Sequence, residues 1–155
     1  MRVRLVCLAL VAAVGVSAVP ADAGTKTGRV LFTKRADNIC QRKGNDAERR
    51  IQRGVRFLQH RHLRAAGFKF EAAYRELRLG YKRIGRLDRP PNGNKHIAKW
   101  LDRERRATSI GVDAAEALQR HKLQRAARLT SKAGHLDRLA YEPVRSFKFD
   151  HCRPL

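Results

Sequence analysis

The chain has 155 residues, and its 35 lysines and arginines against 14 aspartates and glutamates give a formal net charge of +21. This length fits a single domain, and the excess of positive charge favours polyanions, anionic lipid or an acidic protein as partners. A hydrophobic content of 43% is above the level expected of a disordered chain, so the composition is compatible with folding. Fifteen alanines after residue 23 predict a thin core, which suits closely packed helices better than a sandwich of sheets.

Residues 1–23 have the three parts of a secretory signal peptide. A short cationic start precedes a fifteen-residue apolar stretch from Leu5 to Val19, and the small residues at 21–23 allow cleavage before Gly24. The alternative is an uncleaved membrane anchor, but this stretch is shorter than the roughly 20 residues that span a bilayer. We therefore predict export of a 132-residue mature chain with a net charge of +20.

Two cysteines, Cys40 and Cys152, remain after the leader is removed. Exported proteins meet oxidising conditions in which disulfides persist, so these two residues are expected to pair. Such a bond would close a loop of more than a hundred residues and stabilise the fold by about 4–5 kcal/mol in the chain-entropy model. The alternative, a reactive or metal-binding thiol pair, has no Cys-x-x-Cys spacing to support it.

The mature chain divides into three predicted parts: a flexible tail at 24–32, a helical bundle at 33–142 and an extended segment at 143–155. Thr33 stands where an N-cap belongs, and apolar residues then recur at helical spacing. The segment around Pro90-Pro91 is a clear loop. We predict an all-α fold, an antiparallel bundle of about four helices closed by one disulfide between its N- and C-terminal regions.

Breaks between the other helices are less clearly marked in the sequence. Gly44 and Gly67 interrupt the first apolar stripe, and both are read as breaks or bends. After Asn94, which can cap a helix, the periodic pattern runs for more than forty residues, so it must break near Gly111 or at Thr130-Ser131. No internal repeat is expected.

Catalytic and cofactor motifs are absent from the sequence. It has no phosphate loop, no dinucleotide fingerprint and no nucleophile elbow. His60 and His62 resemble a metal pair, but residues two apart on a helix point to different sides. We therefore predict no catalytic residue, no cofactor and no metal site.

Cations two positions out of step with the apolar stripe form basic outer ridges on the predicted helices. Arginine's planar guanidinium suits phosphate and carboxylate, so the ridges are candidate polyanion-binding sites, with a merely solvated face as the alternative. The candidates are Arg49, Arg53 and Arg56 on the first helix and Lys99, Arg103 and Arg106 on a later one.

Nucleic acid is a less favoured polyanion than wall polymers or anionic lipid. Base stacking needs exposed aromatic residues between the cations. Phe70, Tyr74 and Tyr81 lie instead on the apolar stripe, where core packing is the better interpretation, and Trp100 beside the stripe is expected to be half exposed.

Three short motifs occur along the chain in an order that resembles a family of proteins. Ala36-Asp37-Asn38-Ile39-Cys40 follows the leader, Leu87-Asp88-Arg89-Pro90-Pro91 lies between long helices, and Phe149-Asp150-His151-Cys152 closes the chain. This order resembles a diffuse group of uncharacterised secreted all-helical proteins of high-GC Gram-positive bacteria. The motifs carry the cysteine pair and no catalytic residue, so the resemblance implies no functional site. This chain departs from that group in its strong basicity and in Asp150-His151 before the last cysteine.

The favoured function is therefore a non-enzymatic secreted or envelope-associated protein that binds a polyanionic envelope component or an anionic membrane surface. A protein-interaction scaffold with an apolar groove between helices is the first alternative. A metal-dependent hydrolase built on His60 and His62 is the second.

Overall fold

The computed structural model describes residues 21–153, with side chains from residue 26 onward. This part of the chain forms four α-helices and two 3-10 turns, with no β-strand among the described residues. Each helix packs against the next one in the chain. The predicted all-α antiparallel bundle of four helices is confirmed. The elements are α1 (Ala21–Gln59), α2 (Leu63–Ile84), a 3-10 turn (Pro91–Gly93), α3 (Asn94–Gln119), α4 (Leu123–Tyr141) and a second 3-10 turn (Glu142–Phe147).

The two ends of the bundle differ from the predicted boundaries. Residues 24–32, expected to be a flexible tail, belong to α1, and Phe32 is buried because it packs against the C-terminal segment. The segment after Pro143 was expected to be extended, but it begins as the second 3-10 turn and then reverses at Lys148, whose φ is 53°. The predicted leader lies outside the described residues except for positions 21–23.

Gly44, Gly67 and Gly111 do not break the helices, contrary to the prediction. A Cβ atom at Gly111 would lie 2.4 Å from the ring of Tyr74, so this glycine lets α2 and α3 approach closely. The breaks occur instead at residues 60–62 and 120–122, so the break after Asn94 is at neither of the two predicted positions. Asn94 also does not cap α3, since its side-chain oxygen accepts a hydrogen bond from Arg89 at 3.0 Å.

Two glycine substitutions, which should change the free energy of unfolding in opposite directions, test this packing. Gly67→Ala should lower the free energy of unfolding by about 1–3 kcal/mol, because the new Cβ would lie 2.7 Å from the backbone oxygen of Ala115. Gly44→Ala should instead raise it by about 0.5–1 kcal/mol, since nothing lies within 4 Å of the new Cβ. Urea denaturation of both variants measures the difference, and equal effects would contradict the close contact between α2 and α3.

The two hairpins, α1–α2 and α3–α4, repeat one another at an offset of 60 residues, although no repeat was expected. Both turns place one residue at φ 58°, Arg61 in the first and His121 in the second. In each turn the next residue's N–H bonds back to the carbonyl five positions earlier at 2.8 Å, which is the Schellman arrangement. Equivalent small residues are buried in both hairpins: Ala66 and Ala126, Ala73 and Ala133, Gly80 and Ala140. The two hairpins therefore share one turn geometry and one spacing of small buried residues.

The main core lies at the end of the bundle opposite these turns. Its centre is Trp100, which is fully buried and stacks on Phe149 with ring centroids 5.1 Å apart. The expectation of a half-exposed Trp100 was wrong, because the C-terminal segment folds back over it. The buried residues of this core are Phe32, Ala36, Ile84, Ile97, Trp100, Leu101, Ala140, Val144, Phe147, Phe149 and Cys152.

The C-terminal segment is fastened to α1 by a disulfide and by one carboxylate. Cys40 and Cys152 form the predicted disulfide, with their Cα atoms 5.2 Å apart. The Asp37 carboxylate accepts backbone N–H bonds from residues 150, 151 and 152 at 3.1, 2.9 and 3.2 Å. The disulfide indicates an oxidising, extracytoplasmic environment.

Candidate functional site

The six predicted polyanion-binding cations do not form one surface. On α1, Arg53 and Arg56 extend into solvent, and exposed Arg49 pairs with Asp46. On α3, Lys99 is exposed, whereas Arg103 is half-buried and donates a hydrogen bond to the carbonyl of Leu139 on α4.

Arg106 of the α3 ridge is exposed but is held by Asp102 at 3.0 Å. Two further i,i+4 ion pairs join Glu71 to Arg75 and Glu116 to Arg120. The α3 ridge is thus partly occupied by contacts within the protein, and the α1 ridge is the more accessible of the two.

A strongly positive surface surrounds the two hairpin turns, because the chain on either side of each turn lacks acidic residues. Residues 49–70 contain seven lysines and arginines and no aspartate or glutamate. Residues 117–136 contain five and likewise no acid. Both turns lie at the same end of the antiparallel bundle, so the fold brings the two acid-free stretches together.

We call this region the hairpin end. Two shallow depressions lie on its surface. His121 lines both of them, so the first and second turns are neighbours on one continuous surface. The side chains that form the hairpin end are Arg61, His62, Arg64 and Phe68 from the first hairpin and His121, Lys122, Leu123, Arg125 and Arg128 from the second.

The acids that border the hairpin end are already engaged by neighbouring side chains. Glu71 contacts Arg75 at 2.6 Å and accepts a hydrogen bond from Gln119 at 2.7 Å. The hydrogen bond from Gln119, and then the bond and charge of Arg75, lower the pKa of Glu71 despite the opposing effect of burial. Glu116 pairs with Arg120 at 3.6 Å. Glu116 thus offsets one cation of the second turn, whereas Lys122, Arg125 and Arg128 lie in a stretch that contains no acid.

Two large apolar side chains are exposed among these cations. Phe68 is 50% exposed and Leu123 is 54% exposed. The guanidinium of Arg64 lies 5.9 Å from the centroid of the Phe68 ring, within the range of a cation–π contact. The hairpin end therefore offers an apolar contact as well as positive charge.

The helices that begin at the hairpin end have unusual N-termini. His62 and Lys122 occupy the N-cap positions of α2 and α4, and neither helix has a capping side chain or an acidic residue in its first turn. Acidic residues and Ser, Thr, Asp or Asn caps are the usual partners of these free N–H groups. Their absence leaves both first turns to water or to an external anion.

A second feature is a cavity of about 200 Å³ between the four helices and the C-terminal segment. Glu104 lies in its wall and is buried, with its carboxylate accepting a hydrogen bond from the indole N–H of Trp100 at 3.0 Å. The side chains of Tyr81 and Asp137 also hydrogen-bond Glu104. Two carboxyl groups can hydrogen-bond each other only when one of them is protonated, so Glu104 and Asp137 are not both ionised.

Burial and the charge of Asp137 raise the pKa of Glu104 from 4.5 to about 8. Burial, with the nearby charges of Glu104 and Asp137, raises the pKa of Tyr81 well above its ordinary value. Burial and Asp137 likewise raise the pKa of Tyr74. At neutral pH Glu104 therefore retains its proton within this internally hydrogen-bonded cluster.

Sequence reasoning missed Glu104, although the sequence carries a signal for it. Glu104 stands on the apolar stripe of α3, seven residues after Ile97 and seven before Gly111. A carboxyl at such a position must be buried with partners, which is what the structure shows.

Nearer the turns, the two histidines proposed as a metal pair lie with ring centroids 6.4 Å apart, on either side of Arg61. In the part of the chain from residue 21 to 153, no three histidine, cysteine, aspartate or glutamate side chains are grouped to hold a metal ion. Over the same residues, no helix is both long and apolar enough to span a bilayer.

The fold and the surface together define a disulfide-closed, strongly basic helical bundle. Comparison with known proteins adds nothing to this description: no family model, curated protein or solved structure matches the chain.

Proposed function

We propose that this protein is a non-enzymatic, secreted or envelope-associated module that binds polyanions through its basic surface. The observation that carries the proposal is the hairpin end, where two acid-free stretches of the chain meet. Among residues 26–153 other acid-free stretches also carry cations, such as residues 77–87, but the two that meet at the hairpin end are the longest. Polymers that carry regularly spaced phosphates or carboxylates complement the hairpin end in charge.

The physical basis is release of counterions from the polyanion. Each lysine or arginine that neutralises a phosphate releases condensed cations, which makes binding favourable at low salt and steeply weaker at high salt. The two uncapped helix N-termini add free N–H groups that can bond to phosphate oxygens. In an extracytoplasmic compartment, wall polymers and lipid headgroups are the polyanions that such a surface would meet.

The scaffold alternative is less well supported. It needs an apolar groove, whereas the cleft between the helices is small and its wall contains Glu104, Asp137 and Lys43. An α-helix, about 10 Å across, does not fit a cavity of this volume.

Binding to inorganic polyphosphate, measured over a range of salt concentrations, tests the proposal. The dissociation constant should rise with salt, and a plot of the logarithm of affinity against the logarithm of salt concentration should be linear with a negative slope. An uncharged polymer of similar length serves as the control. Absence of binding at low ionic strength, or binding that does not change with salt, would overturn the proposal.

A further inference from the structure

We propose that the hairpin end docks on the surface of an anionic lipid bilayer, with Phe68 and Leu123 entering the interface between headgroups and acyl chains. This inference rests on the proposed function and names the polyanion. The exposed apolar residues favour a bilayer over a soluble polymer, because only the bilayer has apolar surface that can cover them.

The two apolar side chains lie among the cations of the hairpin end. Phe68 lines the depression that also contains Arg64 and His121, and Leu123 lines the adjoining one with Arg125. Both are about half exposed, so each offers apolar surface that a partner can cover with a gain in free energy. A phosphate polymer offers no apolar surface to do so, whereas a bilayer interface does.

The positive charge of the hairpin end complements the negative headgroups of an anionic bilayer. Lysines and arginines near an anionic membrane each add about 1 kcal/mol of attraction, and the stretches that meet at the hairpin end contain no acid to oppose it. Surface-lying proteins combine these two contributions, since basic side chains bind headgroups while aromatic and aliphatic residues enter the interface. The long stems of arginine and lysine allow the charged groups to remain at headgroup level.

The fold also sets the orientation of the bundle on the membrane. Both hairpin turns lie at one end of the bundle, and the disulfide-closed core lies at the other. A protein that docks through its turns therefore stands with its helices rising from the membrane and keeps the C-terminal segment away from the lipid. The opposite end also carries cations, such as Lys82 and Arg83, but it includes the acids Asp88, Glu142 and Asp150 and is therefore the less suitable contact.

The experiment compares two matched double variants on vesicles and on polyphosphate. Phe68→Ser with Leu123→Ser removes the apolar contact, and Leu79→Ser with Leu139→Ser removes two leucines of similar exposure far from the turns. Binding is measured by flotation with phosphatidylcholine vesicles that contain phosphatidylglycerol, with pure phosphatidylcholine vesicles as the uncharged control. Circular dichroism confirms that each variant is folded.

The F68S/L123S variant should bind the anionic vesicles about tenfold more weakly or worse, while its affinity for polyphosphate stays unchanged. The L79S/L139S variant should match the unmodified protein on both. Binding to polyphosphate without binding to anionic vesicles, or vesicle binding that F68S/L123S leaves intact, would overturn the inference and leave the proposed function standing with a soluble polymer as partner. Binding to neither would overturn both.

Discussion

Replacement of both cysteines by serine, Cys40→Ser with Cys152→Ser, should lower the free energy of unfolding by about 4–5 kcal/mol. The disulfide joins residues 112 positions apart, so its removal frees almost the whole described chain in the unfolded state. A domain of this size has a total stability of about 5–15 kcal/mol, so this loss is a large fraction of it. Urea denaturation followed by circular dichroism measures the change.

The folded form of this variant should keep its helical signal. Asp37 still holds the C-terminal segment through three backbone N–H groups, and Phe149 still stacks on Trp100. A reducing agent should destabilise the unmodified protein by the same amount and leave the double variant unaffected, which provides the control. A loss below about 1 kcal/mol would contradict the view that the disulfide stabilises the fold by reducing the entropy of the unfolded chain.

Glu104→Gln should change how stability depends on pH. In the unfolded chain this carboxyl ionises near 4.5, whereas in the folded protein it retains its proton up to about pH 8. The unfolded state alone therefore releases the proton between these values, so the folded protein loses stability as pH rises through this range. The loss is at most about 5 kcal/mol, and E104Q should remove most of it because the amide stays neutral.

Thermal unfolding from pH 4 to pH 9 tests this prediction. E104Q should resemble the unmodified protein at the acid end and be more stable at the alkaline end, because its amide oxygen can still accept the hydrogen bond from Trp100. Glu142→Gln at an exposed site is the matched control and should leave the pH profile unchanged. A second variant, Asp137→Asn, should weaken the dependence by removing the charge that helps to raise the pKa of Glu104. Identical profiles for E104Q and the unmodified protein would show that Glu104 does not retain its proton in the fold.

Much of the fold follows from the sequence because its signals are local. The Pro90-Pro91 loop, the helical spacing of apolar residues and the even cysteine count each depend on a short stretch of chain or on composition. They predicted the helical bundle and the Cys40–Cys152 pairing. The helix boundaries were predicted less well, because a glycine inside a helix marks a break in one context and a close helix contact in another, as at Gly67 and Gly111.

The parts that sequence reasoning missed depend on contacts between distant residues. Trp100 is buried only because the C-terminal segment returns to cover it. The hairpin end arises from the meeting of two turns 60 residues apart, and neither stretch is unusual by itself. Helical phase correctly predicted that Arg53 and Arg56 face solvent, but it could not predict that Arg103 would contact the carbonyl of Leu139.

The central claim is that the hairpin end, rather than net charge alone, binds polyanions. The most direct test compares two variants that each replace three arginines and one lysine by glutamine. One changes Arg64, Lys122, Arg125 and Arg128 at the hairpin end, and the other changes Lys82, Arg83, Arg86 and Arg145 at the opposite end.

The measurement is the affinity of each variant for polyphosphate at several salt concentrations. The hairpin-end variant should bind at least about tenfold more weakly at low salt and show a shallower salt dependence. The control variant, which has the same net charge, should stay within about threefold of the unmodified protein. Equal losses in the two variants would contradict the claim and would mean that polyanions respond only to the total charge of the chain.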